Sequence, residues 1–354
     1  MPSVFARSAI GHLIGLLGCA PLAACDAPSS QVDAGDLRGV FEKERASAST
    51  LASGSSSASA SASMAPLSAP RERDAESGCV TEKGSPAADV RRTVGRPACR
   101  SAEILEWRDA SGAPRYACVY APSELEKRSP LPVLVYFHGS EPGLDDPSSM
   151  SKLTSLRGKM ASTDLTQDPA HAGFMVLGIQ GRALLGGNNG ATFDLDHVSK
   201  TNLDVAATDH FLDVLTERGV VDRKRVFAVG VGRGGTMAVT YAMIRADRVA
   251  AAAAYAPAPP SAVWSCAGPP PPLTIYYRAC DRVVACDVVE EWLGLRERSS
   301  AETKAVRLGD DGRAETNCAT KNVCSEKKGV ANHMRWPKTR EKELLDSLSR
   351  HALK

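Results

Sequence analysis

Val226-Phe-Ala-Val-Gly230-Val-Gly232-Arg-Gly234-Gly235-Thr-Met237 reads as a strand, a glycine-rich turn and the start of a helix. Read as G-x-G-x-x-G through Gly230, Gly232 and Gly235, it matches a dinucleotide fingerprint. That fingerprint needs a carboxylate at the end of the next strand, about 20 residues on, to hold a ribose. The next apolar run, Val249–Tyr255, leads instead into Ala-Pro-Ala-Pro-Pro, and no carboxylate lies between Asp247 and Asp281. The dinucleotide reading therefore loses its second half.

Outward from this turn, strand and helix signals alternate. Ile104–Trp107 and Tyr116–Tyr120 flank Asp109-Ala-Ser-Gly112 and read as a hairpin. Pro132–Phe137, Gly173–Ile179, Val226–Val229, Val249–Tyr255 and Leu273–Tyr277 are short apolar runs suited to strands covered on both faces. Leu203 to Leu215, Thr236–Arg245, Val288–Leu295 and Glu341–Leu348 have helical spacing. In the first of these, Leu203, Ala206, Ala207, His210, Phe211, Val214 and Leu215 share one face. Repeated βα units predict an α/β fold with a mostly parallel sheet and helices on both faces. No internal repeat is visible.

The same strand–turn–helix also fits G-x-S-x-G, the nucleophile elbow, in which small residues flank a strained turn. The stretch from Asp222-Arg-Lys-Arg-Val-Phe to Gly235-Thr-Met-Ala238 resembles the polyhydroxybutyrate-depolymerase and feruloyl-esterase branch of the α/β-hydrolases. That branch reads approximately D-x-x-R-V-Y-x-x-G-x-S-x-G-G-x-M-A. Leu134-Val-Tyr-Phe-His138-Gly139 resembles its strand and His-Gly oxyanion loop, and Asn202 through Leu215 the helix before the elbow. Tyr276-Tyr-Arg-Ala-Cys-Asp281-Arg-Val-Val resembles the G-x-x-D-x-x-V segment that delivers the triad acid, without its glycine. Gly329-Val-Ala-Asn-His333-Met-Arg-Trp336-Pro337 resembles the H-x-W-P segment of the triad base, with one extra residue between His and Trp. The resemblance covers about residues 115–350. It implies an α/β-hydrolase fold, Asp281 as triad acid, His333 as triad base, and backbone N–H groups of Ser140 and Arg233 as oxyanion donors.

One residue departs from the pattern. The nucleophile position is Gly232, which has no side chain and cannot form an acyl-enzyme. Thr236, one turn further, is expected to point into the packing of its own helix. Asp281 and His333 would still polarise a water, with a rate orders of magnitude below that of a complete triad. Two functions stay open: a pseudo-hydrolase that binds an ester, aromatic or carbohydrate-linked ligand, and a weak carboxylic ester hydrolase. A purely structural envelope role needs no cleft at all. His138 reads as a structural loop residue, Asp194, Asp196 and His197 as a solvated turn and not a cation site, and Arg223-Lys-Arg225 as a solvated strand entry.

The chain's address comes from its N-terminus. Arg7 precedes a short apolar run that ends in Leu22-Ala-Ala-Cys25, a secretory pattern too short to span a bilayer. It resembles a bacterial lipobox, which implies cleavage before Cys25 and a lipid on its sulfur. From Ala46 to Pro70 the chain is nearly all Ser, Ala, Gly and Pro, without charge or aromatic residue. Such a segment buries too little apolar surface to order itself, and about 25 residues reach ~25–30 Å. The expected organisation is a signal peptide over 1–24, a tether over 25–75 and a folded domain over 76–354. The protein is expected to be exported and held on the bacterial cell envelope through its lipid.

Composition agrees with this. The 354 residues carry 43 Lys+Arg and 41 Asp+Glu, net +2, which supplies no field for collecting nucleic-acid phosphates. Ten cysteines exceed ordinary cytosolic usage. With Cys19 and Cys25 set aside, eight remain, enough for four disulfides, and no zinc-type ligand spacing is present. Local pairing is expected: Cys318 with Cys324, Cys280 with Cys286 or Cys266, and two of Cys79, Cys99 and Cys118. No metal or cofactor is expected, and an exported chain has little access to nicotinamides. Oligomeric state is not legible.

Overall fold

A computed structural model describes residues 94–184, 190–260, 269–298, 301–320 and 322–354. The signal segment, Cys25, the tether, Cys79 and Cys266 lie outside the described residues.

Strands β1 (Glu103–Arg108) and β2 (Pro114–Tyr120) form the expected hairpin. Asp109 closes it, its Oδ1 accepting from the backbone N–H of Ser111 and Ala113 at 2.9 and 3.2 Å. The chain continues through α1 (Leu125–Arg128), β3 (Leu131–Phe137), α2 (Ser149–Leu153), α3 (Leu156–Lys159) and β4 (Met175–Ile179). Then follow α4 (Leu203–Glu217), β5 (Val221–Val231), α5 (Arg233–Ile244), β6 (Ala251–Tyr255) and β7 (Leu273–Arg278). The described chain finishes with α6 (Cys286–Arg298), β8 (Thr303–Leu308), α7 (Glu326–His333) and α8 (Glu341–Leu348).

The strands make one eight-stranded sheet in the order β1-β2-β4-β3-β5-β6-β7-β8. β2 is antiparallel to β1 and to β4, and all later neighbours are parallel. Side-chain alternation divides the core. Val133, Val135 and Phe137 of β3 face one apolar layer with Phe211 and Met237, while Leu134 and Tyr136 face another with Trp336 and Leu345. The run Ala251-Ala-Ala-Ala-Tyr255 is wholly buried. Among the described residues no helix is long and apolar enough to cross a membrane.

Three sequence expectations need correction. The buried face of α4 is turned from the expected one and carries Asp204 and Thr208 beside Val205, Phe211, Leu212 and Leu215. Asp204 tolerates burial because it meets two guanidinium groups, Arg115 Nη2 at 2.5 Å and Arg182 Nε at 3.1 Å. Burial opposes its ionisation, but these cations hold its pKa below the ordinary value. Asp194 and His197 are buried and not solvated, because Asp194 Oδ1 accepts from the N–H of Asp196 and His197.

The third correction concerns the cysteines. The disulfides are Cys99–Cys118, Cys280–Cys324 and Cys286–Cys318, with Cα separations of 6.0, 5.2 and 5.7 Å. The expected bond between Cys318 and Cys324 does not form, because each is bonded elsewhere, Cys318 to Cys286 and Cys324 to Cys280, and Ala319 N–H donates to Ala279 O beside them; the expected pairing of Cys280 with Cys286 or Cys266 gives way to the same arrangement. Cys280–Cys324 therefore ties the loop of Asp281 to the residues that lead into α7. Closing a loop of 44 residues stabilises by about 4 kcal/mol on the chain-entropy account.

Candidate active site

Four segments converge at the C-terminal ends of the parallel strands, where α/β sheets place their clefts. The first is the turn between β5 and α5. Gly230 and Gly234 flank it, and a Cβ on either would strike backbone, at Gly234 and Gly235 in the first case and at Phe137 and His138 in the second. Both positions are thus restricted to glycine by close approach. Gly232 has φ +54° and ψ −125°, and its N–H donates to Tyr255 O at 2.9 Å. That conformation is strained for a residue with a side chain and free for glycine.

The second segment follows β7. Asp281 Oδ1 accepts from the N–H groups of Val283 and Val284 at 2.9 and 3.0 Å. Its Oδ2 accepts from His333 Nδ1–H at 2.9 Å, with both side chains 2% exposed. The third segment, α7, ends on His333. This helix is capped by Ser325, whose Oγ accepts from Lys328 N–H. Gly329 lets α7 lie against Arg282, where a Cβ would collide. Asn332 fixes the register by donating to Cys280 O at 2.9 Å and Asp310 Oδ1 at 2.8 Å. Tyr255 Oη donates to Asn332 O and accepts from Arg278 Nε. The extra residue between His333 and Trp336 is absorbed without displacing the indole, which is buried and donates to Glu341 Oε1 at 2.7 Å.

The fourth segment follows β3, and here sequence reasoning missed a residue. His138 is structural, as expected: its Nδ1–H donates to Gly139 O and its Nε2 accepts from Gly181 N–H. Burial depresses its pKa and favours that neutral form. Next along, Glu141 turns its carboxylate back over the oxyanion loop. Its Oε1 lies 3.4 Å from His333 Nε2, and its side chain is only 15% exposed. A Cβ built on Gly232 would stand 3.2 Å from His333 Nε2 and 3.3 Å from Glu141 Oε1. Glu141 thus takes the flank of the imidazole that faces the elbow. Its signal in the sequence was a carboxylate directly after His138-Gly139-Ser140, where negative charge would have to develop in catalysis.

The electrostatics follow from this three-part line. Burial disfavours a charged His333, but Asp281 and then Glu141 outweigh it and raise the pKa well above the ordinary histidine value. Burial also disfavours a charged Glu141, yet His333 and the backbone N–H groups of Glu141 and Ser140 hold its carboxyl below the usual range. The imidazole thus stands between two carboxylates, hydrogen-bonded to Asp281 through Nδ1 and with Glu141 Oε1 3.4 Å from Nε2. Thr236 is buried, and its Oγ1 donates to Ala258 O at 3.0 Å, in the segment that follows β6. Arg233, at the first position of α5, directs its Nε–H to Thr192 Oγ1 at 2.9 Å. Cys286, Glu290 and Cys318 also cluster, but the two sulfurs are joined in a disulfide and offer no thiolate to a metal.

No protein-family model and no curated protein matches the sequence. Solved structures do match. A thermostable esterase superposes with a TM-score of 0.51 at 15% identity, over 72% of this chain. The match spans 64% of that esterase's length. Thermogutta terrifontis esterase 2, in the form phosphorylated by paraoxon, gives a TM-score of 0.49 at 15% identity, over 74% of this chain and 100% of its own. Identities this low speak for the fold alone. Together with the mostly parallel eight-stranded sheet, the helices around it and the likeness to the first esterase, they establish that this chain has the α/β-hydrolase fold.

Proposed function

We propose that the protein is a pseudo-hydrolase of the polyhydroxybutyrate-depolymerase and feruloyl-esterase type, which keeps its cleft for binding an ester- or polysaccharide-type ligand and has lost serine-type turnover. The observation that carries this reading is that position 232 has no side chain while a carboxylate stands where the base would work. A general base needs an open Nε2, and here Glu141 Oε1 lies 3.4 Å from that nitrogen while Asp281 holds Nδ1; both raise the histidine's pKa well above its ordinary value. Position 232 supplies no nucleophile, so both halves of the acylation step are missing. The raised pKa and the carboxylate beside Nε2 argue against the weak-esterase reading, which needs His333 to take a proton from water.

The purified protein should hydrolyse short-chain aryl esters no faster than its His333→Ala variant and should take no label from fluorophosphonates. Turnover that disappears with His333→Ala would overturn the proposal. The lipoprotein address is a second part of it, supported by the Leu22-Ala-Ala-Cys25 sequence and the uncharged spacer behind it. Cys25→Ser should move the protein from the membrane fraction to the soluble exported fraction. Continued sedimentation with membranes would remove the anchor from the proposal.

A further inference from the structure

Beside the histidine segment lies a second concavity, a groove of about 540 Å³ walled by the end of α2, the turn after β8 and the residues that follow α7. It begins on Met334 and Arg335, directly after His333, and uses none of the groups at the elbow. Its wall is charged unevenly: Lys152, Arg278, Arg335 and Lys338 stand against two carboxylates, Asp310 and Asp311. Both carboxylates are already matched from outside the wall, Asp310 by Lys328 and Asp311 by Arg313. Among the described residues, no ion pair joins any of the four wall cations to a carboxylate.

Arg278 makes this imbalance matter. It is only 2% exposed, and its guanidinium donates to three neutral oxygens, Tyr255 Oη at 2.9 Å, Gly309 O at 2.7 Å and Arg335 O at 2.9 Å. Neutral oxygens supply hydrogen bonds but no opposing charge. Lys328 and Asn332 hold the oxygens of Asp310, and with Arg278 at longer range they keep that carboxyl below its usual range. A buried cation without an anion of its own is costly. This one lines an open groove that also carries the exposed Lys152 and Lys338.

We infer that the groove binds an acidic polysaccharide, its uronate carboxylates meeting Arg278 and the three exposed cations and its sugar rings lying against Met334 and Pro337. The inference rests on the ligand-binding reading above and narrows its polysaccharide to one that carries carboxylates. A neutral glycan would leave the excess charge of the wall unanswered. A nucleic acid would need a wide positive field, and a net charge of +2 gives none. The cations come from three separate segments, α2, β7 and the stretch after α7, which suits charges carried at intervals along a chain. An acidic peptide also spaces its charges, but on rotating side chains whose ordering costs more than that of carboxylates fixed on a ring.

The test is calorimetric titration of the purified protein with a galacturonate oligosaccharide, with a neutral galactan oligosaccharide of the same length and poly-glutamate as comparisons. Galacturonate should bind and weaken as NaCl rises, and galactan and poly-glutamate should each bind at least about tenfold more weakly. Lys152→Gln combined with Lys338→Gln should cost about tenfold in galacturonate affinity. Arg223→Gln combined with Lys224→Gln removes the same charge near the start of β5, away from the groove, and should change affinity less than about twofold. All four side chains are exposed, so both double variants keep the core intact. Absence of galacturonate binding, equal binding of galactan or poly-glutamate, or an equal loss in both double variants would each overturn the inference. Galacturonate carries no ester, so these outcomes are separate from any finding of esterase turnover.

Discussion

Gly232→Ser is the substitution that would return a hydroxyl to the elbow, and the structure sets how far it can succeed alone. The backbone at φ +54°, ψ −125° accepts a side chain only with strain, costing about 1–3 kcal/mol. The new Cβ would sit 3.2 Å from His333 Nε2 and 3.3 Å from Glu141 Oε1, with the hydroxyl one bond further. Hydroxyl and carboxylate would then compete for one imidazole nitrogen, and the carboxylate holds it with a full charge. Each pKa unit by which His333 stays above the working pH costs about 1.4 kcal/mol, a factor of ten in the population of usable base. The single variant should therefore remain nearly inert. Gly232→Ser combined with Glu141→Ala frees the base and the oxyanion donors together, and should exceed either single variant by about 10²-fold or more in kcat/KM. That corresponds to about 2.7 kcal/mol of coupling between the positions. The assay is short-chain aryl ester hydrolysis with fluorophosphonate labelling mapped to position 232, alongside thermal unfolding to confirm the fold. A single Gly232→Ser variant as active as the double would refute the role of Glu141 as obstacle. A folded double variant that neither turns over nor labels would refute the alignment of His333 with the elbow.

Two further outcomes are expected. The His333 imidazole should titrate above the ordinary value of 6.5 in wild type and lower in Glu141→Gln, since one of its two carboxylates is gone. The raised histidine gives stability present below its unfolded pKa and lost as pH rises through the folded one; the depressed Glu141 gives stability present above its unfolded value and lost as pH falls. The unfolding free-energy gap between wild type and Glu141→Gln should thus be widest between about pH 5 and neutrality and narrow toward acid; a gap independent of pH would contradict the ion pair. Asp204→Ala should cost about 3–5 kcal/mol in denaturant unfolding, because Arg115 and Arg182 stay buried without their shared anion. A loss below about 1 kcal/mol would mean that the pair relaxes to solvent.

Most of the sheet was legible because parallel strands buried on both faces announce themselves as unbroken apolar runs, as in Leu131–Phe137 and Ala251–Tyr255. β8 was missed for the complementary reason. It is an edge strand, and Lys304 and Arg307 interrupt its apolar pattern while guarding its open side. The rotation of α4 was hidden because Asp204 counts as polar in any periodicity, and only the distant Arg115 and Arg182 make its burial tolerable. At the site, Asp281 and His333 were legible from local motifs, each with its own spacing. Glu141 was not, since its meaning depends on a fold-back that brings it to a histidine 192 positions away. Among the disulfides, Cys99–Cys118 lies within the expected set, whereas Cys318–Cys324 and Cys280–Cys286 failed because nearness in sequence is a weak guide to which cysteines meet.

The replacement of serine by glycine and the placement of Glu141 act in one direction. In a working hydrolase of this fold the ground state is left unsatisfied on three counts: a strained nucleophile, a base with an open nitrogen, and N–H donors waiting for an anion. Here the elbow holds glycine, for which the conformation is free. Glu141 Oε1 lies 3.4 Å from His333 Nε2, and the histidine together with the backbone N–H groups of Glu141 and Ser140 holds that carboxyl below the usual range. Catalysis requires interactions that strengthen between ground state and transition state. A site whose donors are already met by a full negative charge gains little when a second one develops, and it must first expel the charge it holds. That argument concerns the groups around the reacting carbonyl and not the rest of the substrate, so it applies to any ester that would use this cleft.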